Sequence, residues 1–120
     1  MNFQKRRAIA YIVGCLISSK QNTAIYDYET SSYSNFSGEV SLSSINIYDY
    51  DRQKYLTATG TADNFSIYDY STSKYIQLTI KANGFNGYDY ETSSYFSGTV
   101  NNNNISFYDY QTSKYYNYSI

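Results

Sequence analysis

In the stretch Asn64-Phe65-Ser66-Ile67-Tyr68-Asp69-Tyr70-Ser71-Thr72-Ser73-Lys74-Tyr75-Ile76-Gln77-Leu78-Thr79-Ile80, apolar side chains alternate with polar ones on either side of a polar centre. Alternation with period two marks β-strands, whose successive side chains point to opposite faces. Two strands joined by Ser71 to Lys74 set Tyr70 opposite Tyr75, Asp69 opposite Ile76, Ile67 opposite Leu78 and Phe65 opposite Ile80. Residues directly opposite share a face, so the stretch predicts an antiparallel hairpin with one apolar side. The next connection, Lys81 to Gly84, keeps that register by setting Ile80 against Phe85.

The same reading applies along the chain. Tyr-Asp-Tyr recurs at Asp27, Asp49, Asp69, Asp89 and Asp109, in units of 22, 20, 20 and 20 residues, each followed five positions later by another tyrosine. A fixed period of this length means a tandem array. Ile45, Ile47, Leu56 and Ala58, then Phe85, Phe96 and Val100, then Ile105, Phe107, Tyr116, Tyr118 and Ile120 supply the apolar face of the other units. The first unit is two residues longer, with Phe36, Val40 and Leu42 extending its second strand; an even insertion keeps every side chain on its proper face. Loops rich in Ser, Thr, Asn and Gly carry turn chemistry. The prediction is a mainly β single domain, residues 1–120, with a helix over 2–19 and five β-hairpin repeats over 23–120. About ten strands form an antiparallel up-and-down meander, curved or barrel-like. The alternative is a β-solenoid, which resembles the curlin repeat in unit length. It would stack the five aspartates in one like-charged column, and curlin's glutamine and asparagine ladders are not evident.

Composition narrows the chemistry. There is no histidine, one cysteine and no proline, against 18 tyrosines, and the net charge is -1. Zinc sites and His-dependent triads lack their members, so no cofactor and no enzymatic activity are expected. From Lys20 onward six basic residues face ten acidic ones, a balance of -4. An acidic repeat region argues against nucleic acid as partner, since that affinity depends on neutralising phosphates.

The segment before the repeats has a different period. Ala8, Ile9, Ile12, Val13, Leu16 and Ile17 recur at helical spacing with Arg7, Gly14 and Ser18 opposite, which predicts an amphipathic helix packed on the apolar sheet face. One helix is too narrow to cover ten strands, and a closed barrel leaves little room beside inward Phe, Ile and Leu, so a strongly curved open sheet is expected. Its free edges and uncovered apolar face predict a homo-oligomer. Lys5, Arg6 and Arg7 oppose the helix dipole and read as a solvated basic end, with contact to acidic loops as the other reading. Ile12-Val13-Gly14-Cys15 resembles a lipobox, but the apolar run after Arg7 is short. A cytoplasmic location is expected ahead of an exported lipoprotein anchored at Cys15. No stretch is long enough for a transmembrane segment.

Two sets of repeated residues are candidates for function. The tyrosines Tyr26, Tyr28, Tyr33, Tyr48, Tyr50, Tyr55, Tyr68, Tyr70, Tyr75, Tyr88, Tyr90, Tyr95, Tyr108, Tyr110 and Tyr115 share one face, as cross-strand stabilisers or as a surface for a glycan or protein partner. Asp27, Asp49, Asp69, Asp89 and Asp109 fall on the other face at strand ends, placed to cap the loops. In a meander they stand about 10 Å apart, too far for a shared calcium site. Pairs such as Asp49 with Asp51, or Asp89 with Glu91, follow from the repeat without a glycosidase site. The recurring Tyr-Asp-Tyr-x-Thr-Ser-x-Tyr after a short basic N-terminus resembles a group of small uncharacterised bacterial proteins with tandem Tyr-Asp-Tyr repeats. The resemblance implies a repeat fold and a bacterial origin, with no activity or ligand to carry over. The functional expectation is a non-enzymatic structural or self-assembling protein, with a binding module as the alternative.

Overall fold

The computed structural model describes residues 1–61 and 63–120. Helix α1 (Phe3–Ser18) precedes ten strands: β1 (Ala24–Asp27), β2 (Ser32–Val40), β3 (Ile45–Asp49), β4 (Lys54–Thr61), β5 (Asn64–Asp69), β6 (Lys74–Lys81), β7 (Gly84–Asp89), β8 (Ser94–Asn101), β9 (Asn104–Asp109) and β10 (Lys114–Ser119). Each strand pairs antiparallel with its chain neighbour, and β1 pairs with β10, so the meander closes into a barrel. At the closing seam Tyr26 faces Ser119 and Asp27 faces Tyr118, and the Tyr28 N–H donates to the Asn117 carbonyl at 3.1 Å. Closure replaces the expected open sheet, excludes the solenoid, and consumes the free edges, one of the two features from which a homo-oligomer is expected.

Helix α1 starts at Asn2, whose side chain accepts the Lys5 N–H at 2.7 Å, an ordinary N-cap, and ends at Ser19 in the left-handed region. Every residue from Lys5 to Leu16 is buried. A helix lying on one surface of a sheet leaves a solvent side; burial on all sides means that α1 occupies the lumen. The amphipathic reading is corrected accordingly, because Arg7 and Gly14, assigned to the polar side, are inside the barrel. The helix still packs on the apolar sheet face, which closure has turned inward.

Two features supply the missing room. In the seams from the second unit to the fifth, the first turn residue bonds to the tyrosine beginning the preceding outgoing strand: Tyr70 to Tyr55, Tyr90 to Tyr75 and Tyr110 to Tyr95. The two seams flanking the first hairpin are offset by two further residues, with Tyr50 bonded to Asn35 and Tyr28 to Asn117. Larger stagger means larger strand tilt and a wider barrel, so the two-residue insertion helps to make the lumen. The wall is also thinned by small residues. A Cβ on Gly87 would lie 2.3 Å from the Phe96 ring, and one on Gly98 would lie 2.5 Å from the Phe85 ring. Each phenylalanine therefore packs over a glycine of the neighbouring strand, and on the helix Gly14 makes the same room, since a Cβ there would meet Ile120 at 2.9 Å and Ile105 at 3.0 Å. The Phe96 and Phe107 rings stack at 5.3 Å, and Tyr11 of the helix stacks on Phe36 at 4.5 Å. Helix and wall thus form one apolar core, each buried large side chain contributing about 1.5–3 kcal/mol.

The hairpin turns fall one residue earlier than expected. Tyr68, rather than Tyr70, faces Tyr75, while Ile67 faces Ile76 and Phe65 faces Leu78. Tyr70 opens the turn because the Ser73 N–H closes on the Asp69 carbonyl at 2.8 Å and Ser73 adopts φ 57°. The same left-handed residue recurs at Ser31, Gln53, Ser93 and Ser113. The shift changes pair partners by two, so every residue keeps its face. At the other end Ile80 faces Phe85 as expected. Leu42 does not extend β2: it sits in the turn after Val40 and is exposed.

Candidate functional site

Alternation along each incoming strand sends the central aspartate of every Tyr-Asp-Tyr inward and its two tyrosines outward. The five motifs therefore build two concentric rings at one end of the barrel, with carboxylates inside and phenols outside. Asp27, Asp49, Asp69, Asp89 and Asp109 are at most 3% exposed. One carboxylate oxygen of each accepts the backbone N–H two residues on: Glu29 to Asp27 at 2.9 Å, Asp51 to Asp49 at 3.0 Å, Ser71 to Asp69 at 3.1 Å, Glu91 to Asp89 at 3.2 Å and Gln111 to Asp109 at 2.9 Å. These Asx bonds fix the carboxylates at the turn mouths, where their remaining oxygens need cations.

The start of the helix delivers them. Lys5 Nζ is 3.1 Å from Asp89, 4.0 Å from Asp69 and 2.6 Å from Glu91. Arg6 reaches Asp109 at 3.3 Å, lies over the Tyr116 ring at 3.7 Å, and donates to the Met1 carbonyl. Arg7 donates to Asp27 at 2.8 Å and is 3.3 Å from Asp51, with Ser34 and Thr30 as further acceptors at 2.9 and 2.8 Å. The expected solvated basic end is therefore a buried plug. Its charge opposes the helix dipole, and the six carboxylates in contact with it, Asp27, Asp51, Asp69, Asp89, Glu91 and Asp109, offset that cost. Closure also brings the aspartates nearer than a flat meander allows, close enough for one ammonium to contact two.

Asp49 lies outside the helix cations' contacts and is served by Arg52, which donates to Asp49 and Asp69 at 2.8 Å each. Burial works against the Arg52 charge, but the two carboxylates hold its guanidinium above its ordinary range. Sequence reading missed this residue, although a signal was there. Arg52 occupies the turn position held by Thr30, Thr72, Thr92 and Thr112 in the other units, and Thr72 and Thr92 there donate to their own aspartates at 3.2 and 3.0 Å. Arg6 Nε and one Arg52 terminal nitrogen are buried without a partner. The ring is thus occupied by cations of the chain itself, and no group of three or more His, Cys, Asp or Glu among the described residues could hold a metal.

Cys15 is buried in the helix, where burial pushes its thiol pKa up. Cleavage before this residue would remove Lys5, Arg6 and Arg7 from the carboxylate ring. No described helix is long and apolar enough to cross a membrane. Below the tyrosines, the outward strand positions carry mostly Ser, Thr, Asn and Gln. A lipid-facing barrel wall presents an apolar band there.

All fifteen tyrosines stand on the outside as five copies of one arrangement. Tyr26, Tyr48, Tyr68, Tyr88 and Tyr108 are mostly covered, and each makes edge-to-face contacts with two neighbours at 4.7–5.0 Å, as Tyr68 does with Tyr70 and Tyr75. The ten flanking rings, Tyr28, Tyr33, Tyr50, Tyr55, Tyr70, Tyr75, Tyr90, Tyr95, Tyr110 and Tyr115, remain 50–67% exposed. The belt is ordered yet open, and shallow grooves of about 260–400 Å³ run between its rings. No protein-family model, curated protein or solved structure was found to match the chain.

Proposed function

We propose that this chain is a non-enzymatic interaction module, a rigid barrel that presents its outer tyrosine belt to a glycan or protein partner. The observation that carries this reading is the exposure of ten tyrosines, at least half open to solvent, in five equivalent positions on a closed scaffold. Tyrosine offers a large amphipathic contact area with few rotatable bonds, and neighbouring serine and asparagine supply adaptable hydrogen bonds, a composition also used by antibody paratopes. A purely structural role asks for buried rings, whereas these outermost rings each give up about half of their surface to water. The carboxylates offer no competing site, because each is hydrogen-bonded and ion-paired within the fold.

The test is replacement of Tyr28, Tyr50, Tyr70, Tyr90 and Tyr110 by serine in one protein. A contact surface predicts a barrel that still folds and unfolds cooperatively, its thermal midpoint lowered by about 10–20 °C as the five small losses add. It also predicts loss of binding to an array of glycans and folded proteins on which the parent gives a signal. Collapse of the fold, or parent and variant signals that are equal or both absent, overturns the reading.

A further inference from the structure

The belt repeats its grooves as well as its rings. Tyr50 and Tyr55 stand beside Ser37 and Asn46; Tyr70 and Tyr75 stand beside Thr57 and Ser66; Tyr75 and Tyr90 stand beside Ser66 and Gln77. The first two are equivalent positions one repeat apart, at the seams where Ser37 faces Tyr48 and Thr57 faces Tyr68; the third adjoins the second through Ser66 and Tyr75 and reaches the next seam at Gln77, which faces Tyr88. We infer that the grooves are subsites for a neutral oligosaccharide lying along the belt. The inference rests on the reading of the belt as a contact surface and names its ligand class.

The lining chemistry points to sugar. A pyranose has an apolar C–H face and a rim of hydroxyls, each both donor and acceptor. Tyrosine faces meet the first, and the hydroxyls and amides of Ser, Thr, Asn and Gln can donate to or accept from the second. Gln77 already donates to Ser66 at 3.2 Å across one floor, so donor and acceptor stand side by side at the surface. No charged side chain lines the Tyr50 and Tyr70 grooves, and Lys74 alone lines the third. A polyanion would find no cation array there, whereas an uncharged polyol needs none. Spacing bears on length. Equivalent grooves are two strands apart on the convex side of a closed barrel, so they stand further apart than the roughly 10 Å of a flat sheet, and a ligand must be longer than a disaccharide to reach from one to the next. A repeating ligand on repeating subsites gains affinity by engaging two at once.

The test is a ¹H–¹⁵N titration with cellohexaose, mannohexaose and chitohexaose, each against its own disaccharide. Amide shifts are expected at Thr57, Tyr70, Gln77 and Tyr90 with at least one hexasaccharide, bound roughly 10-fold or more tighter than its disaccharide because two grooves are spanned. Binding should weaken about 10-fold or more both in a Tyr70→Ser, Tyr90→Ser protein and in Gln77→Ala, an exposed position that leaves the core untouched. The inference is overturned by silence at the belt with all three sugars at millimolar concentration, by equal affinity for hexasaccharide and disaccharide, or by affinity unchanged in both variants. If the array test gives a belt-dependent protein signal while the sugars are silent, this inference fails and the contact-surface reading stands; if the array is also empty, both fail.

Discussion

At the motif end of the barrel the inner and outer walls are made from the same five tripeptides, yet the outer wall keeps the five-fold repeat and the inner wall breaks it. Outside, every unit repeats the same three-ring contact at nearly the same spacing. Inside, Asp89 takes Lys5, Asp109 takes Arg6, Asp27 takes Arg7, and Asp49 shares Arg52 with Asp69. A single helix has no five-fold symmetry, so equivalent carboxylates must be neutralised by inequivalent cations. The repeat can remain regular where it meets solvent and must be edited where it meets a unique element.

That contrast breaks most visibly if an inner cation is removed. Lys5→Met leaves Asp89 buried without its ammonium, and stranding one partner of a buried ion pair costs about 3–5 kcal/mol. Lys74→Met, at the exposed first residue of β6 on the same rim, should stay within about 0.5 kcal/mol of the parent. Urea unfolding of both variants measures the difference. Equal losses would mean that the inner ring is not the stabilising feature it is taken for here.

Alkaline titration sharpens the comparison next. Burial raises the phenol pKa values of Tyr11 and Tyr118, both 1% exposed. A folded pKa above the unfolded value gives stability that is fully present below the unfolded value, near 10 for tyrosine, and is lost as pH climbs beyond it. The loss is about 1.4 kcal/mol per pH unit for each group over that window. By pH 11 the two phenols should cost about 2–3 kcal/mol together. Tyr11→Phe with Tyr118→Phe should flatten that slope in urea unfolding measured from pH 8 to 11. A variant as alkali-sensitive as the parent would assign the effect elsewhere.

The same division explains what could be read in advance. Strand count, facing and the placement of the motif aspartates follow from period-two alternation, which survives a one-residue error in the turn. The turn itself was misplaced because its closing contact, Ser73 N–H to the Asp69 carbonyl, depends on a left-handed serine that composition does not announce. Closure around the helix was illegible for another reason. It depends on Gly87, Gly98 and the extra stagger of the first unit together, and no one of them signals a lumen alone. Arg52 was legible in principle, as the one arginine in a position otherwise held by threonine, but its purpose requires knowing that three helix cations leave Asp49 unserved.

Space on the two walls gives a smaller test. Gly87→Ala puts a Cβ 2.1 Å from the Gln77 carbonyl oxygen and against the Phe96 ring, an overpacking worth about 1–3 kcal/mol. At Gly84, on an outward position, a Cβ meets nothing nearer than 3.5 Å, so Gly84→Ala should be close to neutral. Thermal midpoints of the two proteins would rank them, and a Gly84 variant as damaged as the Gly87 variant would contradict the packing of phenylalanine over glycine.

The least costly change is expected at the outermost rings, and its size bears directly on what the belt is for. Tyr70 touches Tyr68 edge to face at 4.8 Å but is half open to water, whereas Tyr68 is mostly covered and contacts both Tyr70 and Tyr75. An exposed aromatic pair contributes about 0.5–1 kcal/mol, so Tyr70→Ser should lose no more than that, and Tyr68→Ser, which removes two such contacts, should lose about twice as much. A Tyr70 variant that unfolds as readily as the Tyr68 variant would make the whole triad a stabilising unit. The expected ordering instead assigns structure to the central tyrosine and leaves its neighbours' exposed faces free for a partner. Five repeats can hold those faces in register because the inner ring fixes the turns from behind.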